Sequence, residues 1–196
     1  MQLKKFSRYI IGGGVLLILL IWIITSYNSL VKSEEKVQLK WSEVQNTYQR
    51  RMDLIPNLVN VVKGVSDFEQ TTLEKVVEAR SKALSGFSNT DLTAGNYQQQ
   101  SMLQDTLASA ANRMIILLEK YPTLKGTAAY SGLQTQLEGT ERRIRVARND
   151  FNASIAEYNK KVRSFPTNIL SGIFGFRKKE GFIADKGTDN AVEIKF

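Results

Sequence analysis

Tyr9 to Thr25 reads YIIGGGVLLILLIWIIT, seventeen residues without a charged side chain. A helix over this run rises 1.5 Å per residue and spans roughly 26 Å, close to the ~30 Å hydrocarbon core of a bilayer. In lipid only a structure that satisfies its own backbone polar groups is viable, so the run is expected to be a transmembrane helix. Tyr9 at one end and Trp22 and Tyr27 at the other stand where aromatic anchors meet the lipid–water boundary. A cleaved signal peptide shares this layout. However, Ile24-Thr25-Ser26-Tyr27-Asn28 offers no small-x-small cleavage site, and the run is longer than a usual signal core. The reading is a retained anchor over residues 9–27, preceded by a basic flank at 1–8.

Lys4, Lys5 and Arg8 precede the span, while Lys32, Lys36 and Lys40 follow it. The first three lie closer, which favours the N-terminus inside a bacterial cytoplasmic membrane and the rest of the chain outside. The Gly12-Gly13-Gly14 run permits close helix approach but makes no small-xxx-small motif, because Leu16, Leu17 and Ile18 follow.

Beyond the span, residues 28–165 carry helical periodicity. Leu30, Val37, Trp41, Val44, Tyr48, Ile55, Leu58, Val62 and Val65 step by three and four, with gaps at Glu34 and at Arg51 or Met52. Neither Gly nor Pro separates this stripe from the span, so the transmembrane helix is expected to continue into it. Pro56 removes a backbone donor and crowds the Met52 carbonyl, at a cost of about 3 kcal/mol in a straight helix. A kink is expected there, with Asn57 placed to bond the freed backbone. A second stretch runs through Phe68, Leu73, Val76, Val77, Ala83 and Leu84, and a loop is expected from Gly86 to Gly95. A third holds Met102, Leu103, Leu107, Ala110, Met114, Leu117, Leu118 and Tyr121, with Gln98, Gln99, Gln100 and Gln104 on its polar side. Tyr121-Pro122 stops it. The fourth is unbroken: Tyr130, Leu133, Leu137, Thr140, Ile144, Ala147, Phe151, Ile155, Tyr158, Val162 and Phe165. Glu138 stands four before Arg142 for an intrahelical pair. The expected fold is all-α, the transmembrane helix continuing into an elongated antiparallel bundle of three to four long helices.

Residues 166–196 change character. Ile173, Phe174 and Phe176 precede Arg177, Lys178 and Lys179 in a segment too short to span a bilayer. Either these residues meet the membrane interface, with the basic triplet on lipid head groups, or the aromatics close the open end of the bundle. Gly181 onward is expected to be extended or partly disordered.

The chain contains neither Cys nor His. Disulfides, thiol nucleophiles, imidazole chemistry and the usual zinc sets are therefore excluded. Its net charge of +8 is spread over helices rich in Glu and Asp, without the basic and aromatic interleaving of a nucleic-acid groove. No carboxylate pair stands out, and neither a catalytic residue, a cofactor nor a metal is assigned. The most unusual polar residues are Arg50, Arg51, Asp53 and Asn57 near the proline, with Arg148, Asn149 and Asn152 later. They read either as a partner surface or as an inter-helix polar network, the latter with Asp53 paired to an arginine of a neighbouring helix.

Arg50-Arg51-Met52-Asp53-Leu54-Ile55-Pro56-Asn57-Leu58-Val59 followed by Val62-Lys63-Gly64 resembles the hallmark of the LemA family of bacterial membrane proteins. Ala147-Arg148-Asn149-Asp150-Phe151-Asn152, Tyr158-Asn159, Phe165-Pro166-Thr167-Asn168-Ile169, Phe174-Gly175-Phe176 and the ending Ala191-Val192-Glu193-Ile194-Lys195-Phe196 agree with it. The resemblance covers nearly the whole chain and implies one N-terminal span and a helical bundle. A member in the magnetosome membrane machinery implies membrane organisation. Where family members carry a His-Glu pair after the Lys-Gly, this chain has Phe68-Glu69. Two functions follow as expectations: a self-associating scaffold that organises or shapes membrane, with lipid and its own copies as partners, or a tethered module that binds another envelope protein.

Overall fold

The apolar run and the first amphipathic stripe form one helix, α1, Gln2–Lys63, with Pro56 inside it. The structure, a computed structural model, describes residues 2–63, 69–88 and 93–182. Helices α2 (Gln70–Ser85), α3 (Ala94–Leu117), α4 (Pro122–Lys125), α5 (Ala128–Arg163) and α6 (Thr167–Phe174) follow, with single 3-10 turns at Gly86–Ser88 and Leu118–Lys120. The fold is all-α, and the described residues include no strand. Phe68 of the Phe68-Glu69 departure and the Ala191–Phe196 ending lie outside the described residues.

Over its N-terminal part α1 is long and apolar enough to cross a membrane, by length and composition. Every side chain from Ile11 to Ile21 is exposed, whereas Leu30, Val37, Trp41, Val44, Tyr48, Ile55, Leu58 and Val62 are buried. The single helix thus changes from an all-round apolar surface to one inward stripe.

Contacts divide the chain into two units. The larger comprises the described residues of Trp41–Asn152 and Glu180–Phe196. Its core joins Met52, Leu58 and Val62 of α1, Val76 and Ala83 of α2, Leu107, Met114 and Leu118, and Tyr130 and Leu137 of α5. Trp41 meets Phe151 while Arg51 meets Glu141, so within this unit α1 and α5 run antiparallel. The smaller unit comprises the described residues of Met1–Lys40 and Ala153–Lys179. There Lys161 donates to the Ser29 carbonyl and hydroxyl, and Lys36 pairs with Glu157 at 2.6 Å, again antiparallel.

Several boundaries differ from the spacing argument. Helix α3 begins at Ala94, inside the expected loop, because the Thr93 hydroxyl caps it by accepting from the Asn96 amide at 3.4 Å. Helix α3 ends at Leu117, before Tyr121-Pro122, and a 3-10 turn carries the chain to Lys120; Pro122 then opens the short α4, where its missing donor costs nothing. Met102 and Val77 point outward. The buried stripe of α3 is Tyr97, Gln100, Gln104, Leu107, Ala111 and Met114, continued by Leu118 of the following 3-10 turn and spaced three and four throughout. Phe165, the last member of the stripe expected on α5, is 81% exposed, because α5 ends at Arg163. Glu138 accepts from Gln134 on its N-terminal side.

Pro56 does not end α1. The Met52 carbonyl, deprived of its helical donor, accepts from Arg80 Nε of α2 at 2.9 Å. Asn57, expected in that role, is exposed.

Candidate functional site: a buried arginine network beside an open cleft

In the larger unit, α1 places Arg51 inward because it falls on the stripe Tyr48, Arg51, Ile55. The side chain is 2% exposed, and a bare guanidinium at that depth would be severely destabilising. Nη1 donates to the Gln104 carbonyl of α3 at 2.8 Å and to its side-chain oxygen at 3.3 Å, while Nη2 donates to Glu141 of α5 at 2.5 Å. One arginine therefore joins three helices. Arg51 Nε and Gln104 Nε2 have no hydrogen-bond partner among the described residues.

About two turns further along α5, Arg148 repeats the theme. Its Nε donates to the Tyr48 hydroxyl and its Nη2 to Asp105, both at 2.8 Å. The guanidinium also lies 5.4 Å from the centroids of both Tyr48 and Phe182. Burial pushes the Tyr48 hydroxyl above its ordinary pKa, against the pull of Arg148.

Asn152, one further turn on, holds the residues after α6 by their backbone. Its side-chain oxygen accepts from the Phe182 amide at 2.8 Å, and its amide nitrogen donates to the Phe182 carbonyl at 3.2 Å. The Phe182 ring then completes a cluster with Trp41, Tyr97 and Phe151, with centroids between 5.4 and 6.0 Å apart. In the smaller unit Asn159 makes the same two-point clamp on Lys179, at 2.9 and 2.7 Å.

Between these groups opens a cleft of about 440 Å³, lined by Arg51, Asp105, Glu141, Arg145, Arg148 and Asn149 among others. Arg145 and Asn149 are exposed on its wall. The cleft carries both signs of charge and suits a polar partner surface better than an apolar ligand. Among the described residues no three Asp, Glu, His or Cys side chains converge to hold a metal.

Of the residues singled out from the sequence, Arg51 and Arg148 bridge helices, Asn152 holds Phe182, and Asn149 lines the cleft. Arg50, Asp53 and Asn57 are exposed on α1. Among the described residues Asp53 pairs with no arginine of another helix; it accepts from Gln49 on its own helix at 2.8 Å. The inter-helix acids are instead Glu141 and Asp105. Gln104 and Tyr48 were missed as site residues, although their three-and-four spacing from buried neighbours places both on an inward face.

The model of the LemA family matches residues 40–196. The chain is also similar to a magnetosome protein MamQ of Paramagnetospirillum magneticum, 26% identical over 190 residues that cover 87% of this chain and 69% of that protein. A MamQ of Magnetospirillum gryphiswaldense matches with the same identity and coverage. A protein LemA of Metamycoplasma hominis is 26% identical over 144 residues, 74% of this chain and 63% of that protein. These relatives and the apolar N-terminal part of α1 fit a single-pass, membrane-associated protein of a helical family. With the family model matching most of its length, the chain belongs to the LemA family.

Proposed function

We propose that this protein is a non-catalytic, membrane-tethered scaffold whose helical units associate with further copies and organise the bacterial cytoplasmic membrane, the bundle lying outside the cytoplasm. The observation that carries this reading is that the buried Arg51 and the half-buried Arg148 each tie neighbouring helices together. Arg51 is engaged with Gln104 and Glu141, and Arg148 with Tyr48 and Asp105. A body braced in this way, on a helix that also carries the membrane-length apolar run, suits a mechanical role. The magnetosome proteins among its relatives support the link to membrane organisation. The test is the mass of the full-length protein in nanodiscs, with particles imaged by negative stain. Large uniform assemblies are expected, and a monomer at all concentrations overturns self-association.

A second reading, a tethered module capturing an envelope protein, is favoured by the charged cleft. Reversing the exposed Arg145 to Glu would then abolish capture in crosslinking while leaving the mass of the protein unchanged. If crosslinks persist in Arg145→Glu, the cleft is not the capture surface.

A further inference from the structure

We propose that α6 is a membrane-interface foot, its outward apolar side seated in the boundary between head groups and acyl chains of the bilayer that holds α1. The proposal rests on the smaller unit alone, and on reading Tyr9–Thr25 as a membrane span.

Helix α6 has two unlike sides. Leu170 and Ser171 are buried, and the Ser171 hydroxyl donates to the Val162 carbonyl at 2.8 Å, which docks that side on the end of α5. Ile169, Ile173 and Phe174 face outward, Ile173 at 71% exposure, and Phe165 just before the helix is exposed as well. Four large apolar side chains within ten residues of chain thus face away from the fold. Left in water, such a patch is a persistent unfavourable term.

Its position on α1 indicates what covers it. The Tyr27 ring meets Phe174 edge-on at 5.0 Å and Phe176 at 5.7 Å. Tyr27 stands two residues beyond the Tyr9–Thr25 run, where the sequence leads one to expect an anchor at the lipid–water boundary. The side chains of Ile11 to Ile21 are all exposed, Trp22 and Ile23 are half-buried, and after the exposed Ile24 the polar Thr25, Ser26 and Asn28 precede the first buried residue, Leu30. The outward face of α6 therefore lies at the level where the apolar surface of α1 gives way to polar residues. Gly175, at φ +78, permits the left-handed turn by which the Phe176 amide reaches back to the Ser171 carbonyl at 2.9 Å. That turn brings Phe176 onto Tyr27.

Charge agrees with this placement. Arg177 and Lys178 follow directly and are exposed, positioned for anionic head groups. Lys179 is not available to lipid, since it pairs with Glu34 at 2.9 Å and lies over the Tyr158 ring. Of the two alternatives drawn from the sequence, the structure shows one side of α6 capping the end of α5, and the proposal assigns the other side to lipid.

The chain has no cysteine, so single nitroxide labels can be placed in the full-length protein without removing any residue. Ile173→Cys, Leu17→Cys in the span and Met102→Cys on α3 would each be labelled in vesicles of phosphatidylcholine with a minor fraction of phosphatidylglycerol. The ratio of collision with oxygen to collision with an aqueous nickel chelate reports lipid depth. The expected result is a ratio at Ile173→Cys several-fold above that at Met102→Cys and approaching that at Leu17→Cys. A ratio equal to that at Met102→Cys, with Leu17→Cys in lipid, overturns the proposal alone, whereas an aqueous ratio at Leu17→Cys overturns the span reading with it. Spin–spin broadening at Ile173→Cys that disappears on dilution with unlabelled protein would assign the face to a second copy and equally overturn the proposal. Adding Arg177→Glu and Lys178→Glu is expected to lower the Ile173→Cys ratio in the anionic vesicles and leave it unchanged in pure phosphatidylcholine. No loss in the anionic vesicles overturns the head-group contribution.

Discussion

Arg80 Nε donates to the Met52 carbonyl at 2.9 Å, and Met52 is the residue whose carbonyl Pro56 leaves without a helical donor. A proline in mid-helix is tolerated because a cation on the adjacent helix replaces the missing backbone bond. The replacement also ties α2 to α1. Arg80→Ala is expected to cost about 1–3 kcal/mol, the cost of an unsatisfied partly buried acceptor. In a Pro56→Ala background the restored amide supplies the bond, so the same substitution should cost distinctly less. Urea unfolding of the four proteins in detergent, followed by circular dichroism, measures the coupling. Strict additivity would refute the relationship.

The Arg51–Glu141 pair is asymmetric, because Arg51 is 2% exposed and the Glu141 side chain 42%. Glu141→Leu strands a buried guanidinium with only Gln104 to hold it, and about 3 kcal/mol of destabilisation is expected. Arg51→Met leaves a carboxylate that can turn to water, so its cost should be smaller. The same unfolding measurement ranks the two, and the reverse order would contradict this account of the network.

Tyr158 is fully buried, and its hydroxyl has no hydrogen-bond partner among the described residues. Burial, with a smaller contribution from Glu34, pushes its pKa up to about 12. In the unfolded chain the phenol titrates near ~10, so above that pH the folded state keeps a proton that the unfolded state has lost. The stability contributed by this group is intact below pH ~10 and is lost as pH rises towards the folded value. Tyr158→Phe should be neutral or mildly stabilising at pH 7. It should also remove on the order of 2 kcal/mol from the alkaline loss of stability. Unfolding curves from neutral to strongly alkaline pH test this. An unchanged alkaline profile would show that Tyr158 does not titrate as described.

The clamp of Asn152 on Phe182 depends on Gly181, where a β-carbon would come within 2.5 Å of the Asn152 side-chain oxygen. Gly181→Ala and Asn152→Ala should both release the Phe182 amide. With two hydrogen bonds lost at about 1 kcal/mol each, hydrogen exchange at that amide should speed up roughly tenfold or more. Unchanged protection in Asn152→Ala would mean that the aromatic cluster, and not the amide, holds Phe182.

Much of this was legible in the residue order. The inward stripe of α1 from Leu30 to Val62 and that of α5 from Tyr130 to Val162 follow from three-and-four spacing alone. The stripe of α3 was misread because Gln100 and Gln104 were assigned to the polar side for their chemistry, although they keep the spacing of Leu107 and Met114. The same bias left Arg51 as a gap in α1. Asp53 and Asn57 looked functional through their closeness in sequence to Pro56, yet they face outward, and the atom that answers the proline comes from Arg80, on another helix.

By itself the sequence determined the all-α class, the membrane-length apolar run and most of the buried stripes. These are properties of one helix at a time: a 3.6-residue period and a stretch without charge need no neighbour to be expressed. Only the tertiary structure decided which polar groups are partners. Whether Arg51 meets Glu141, Arg148 meets Asp105, Asn152 meets Phe182 or Phe174 meets Tyr27 depends on the rotation and register of one helix against another. Those are set by side-chain packing among all of the helices, which local spacing does not encode.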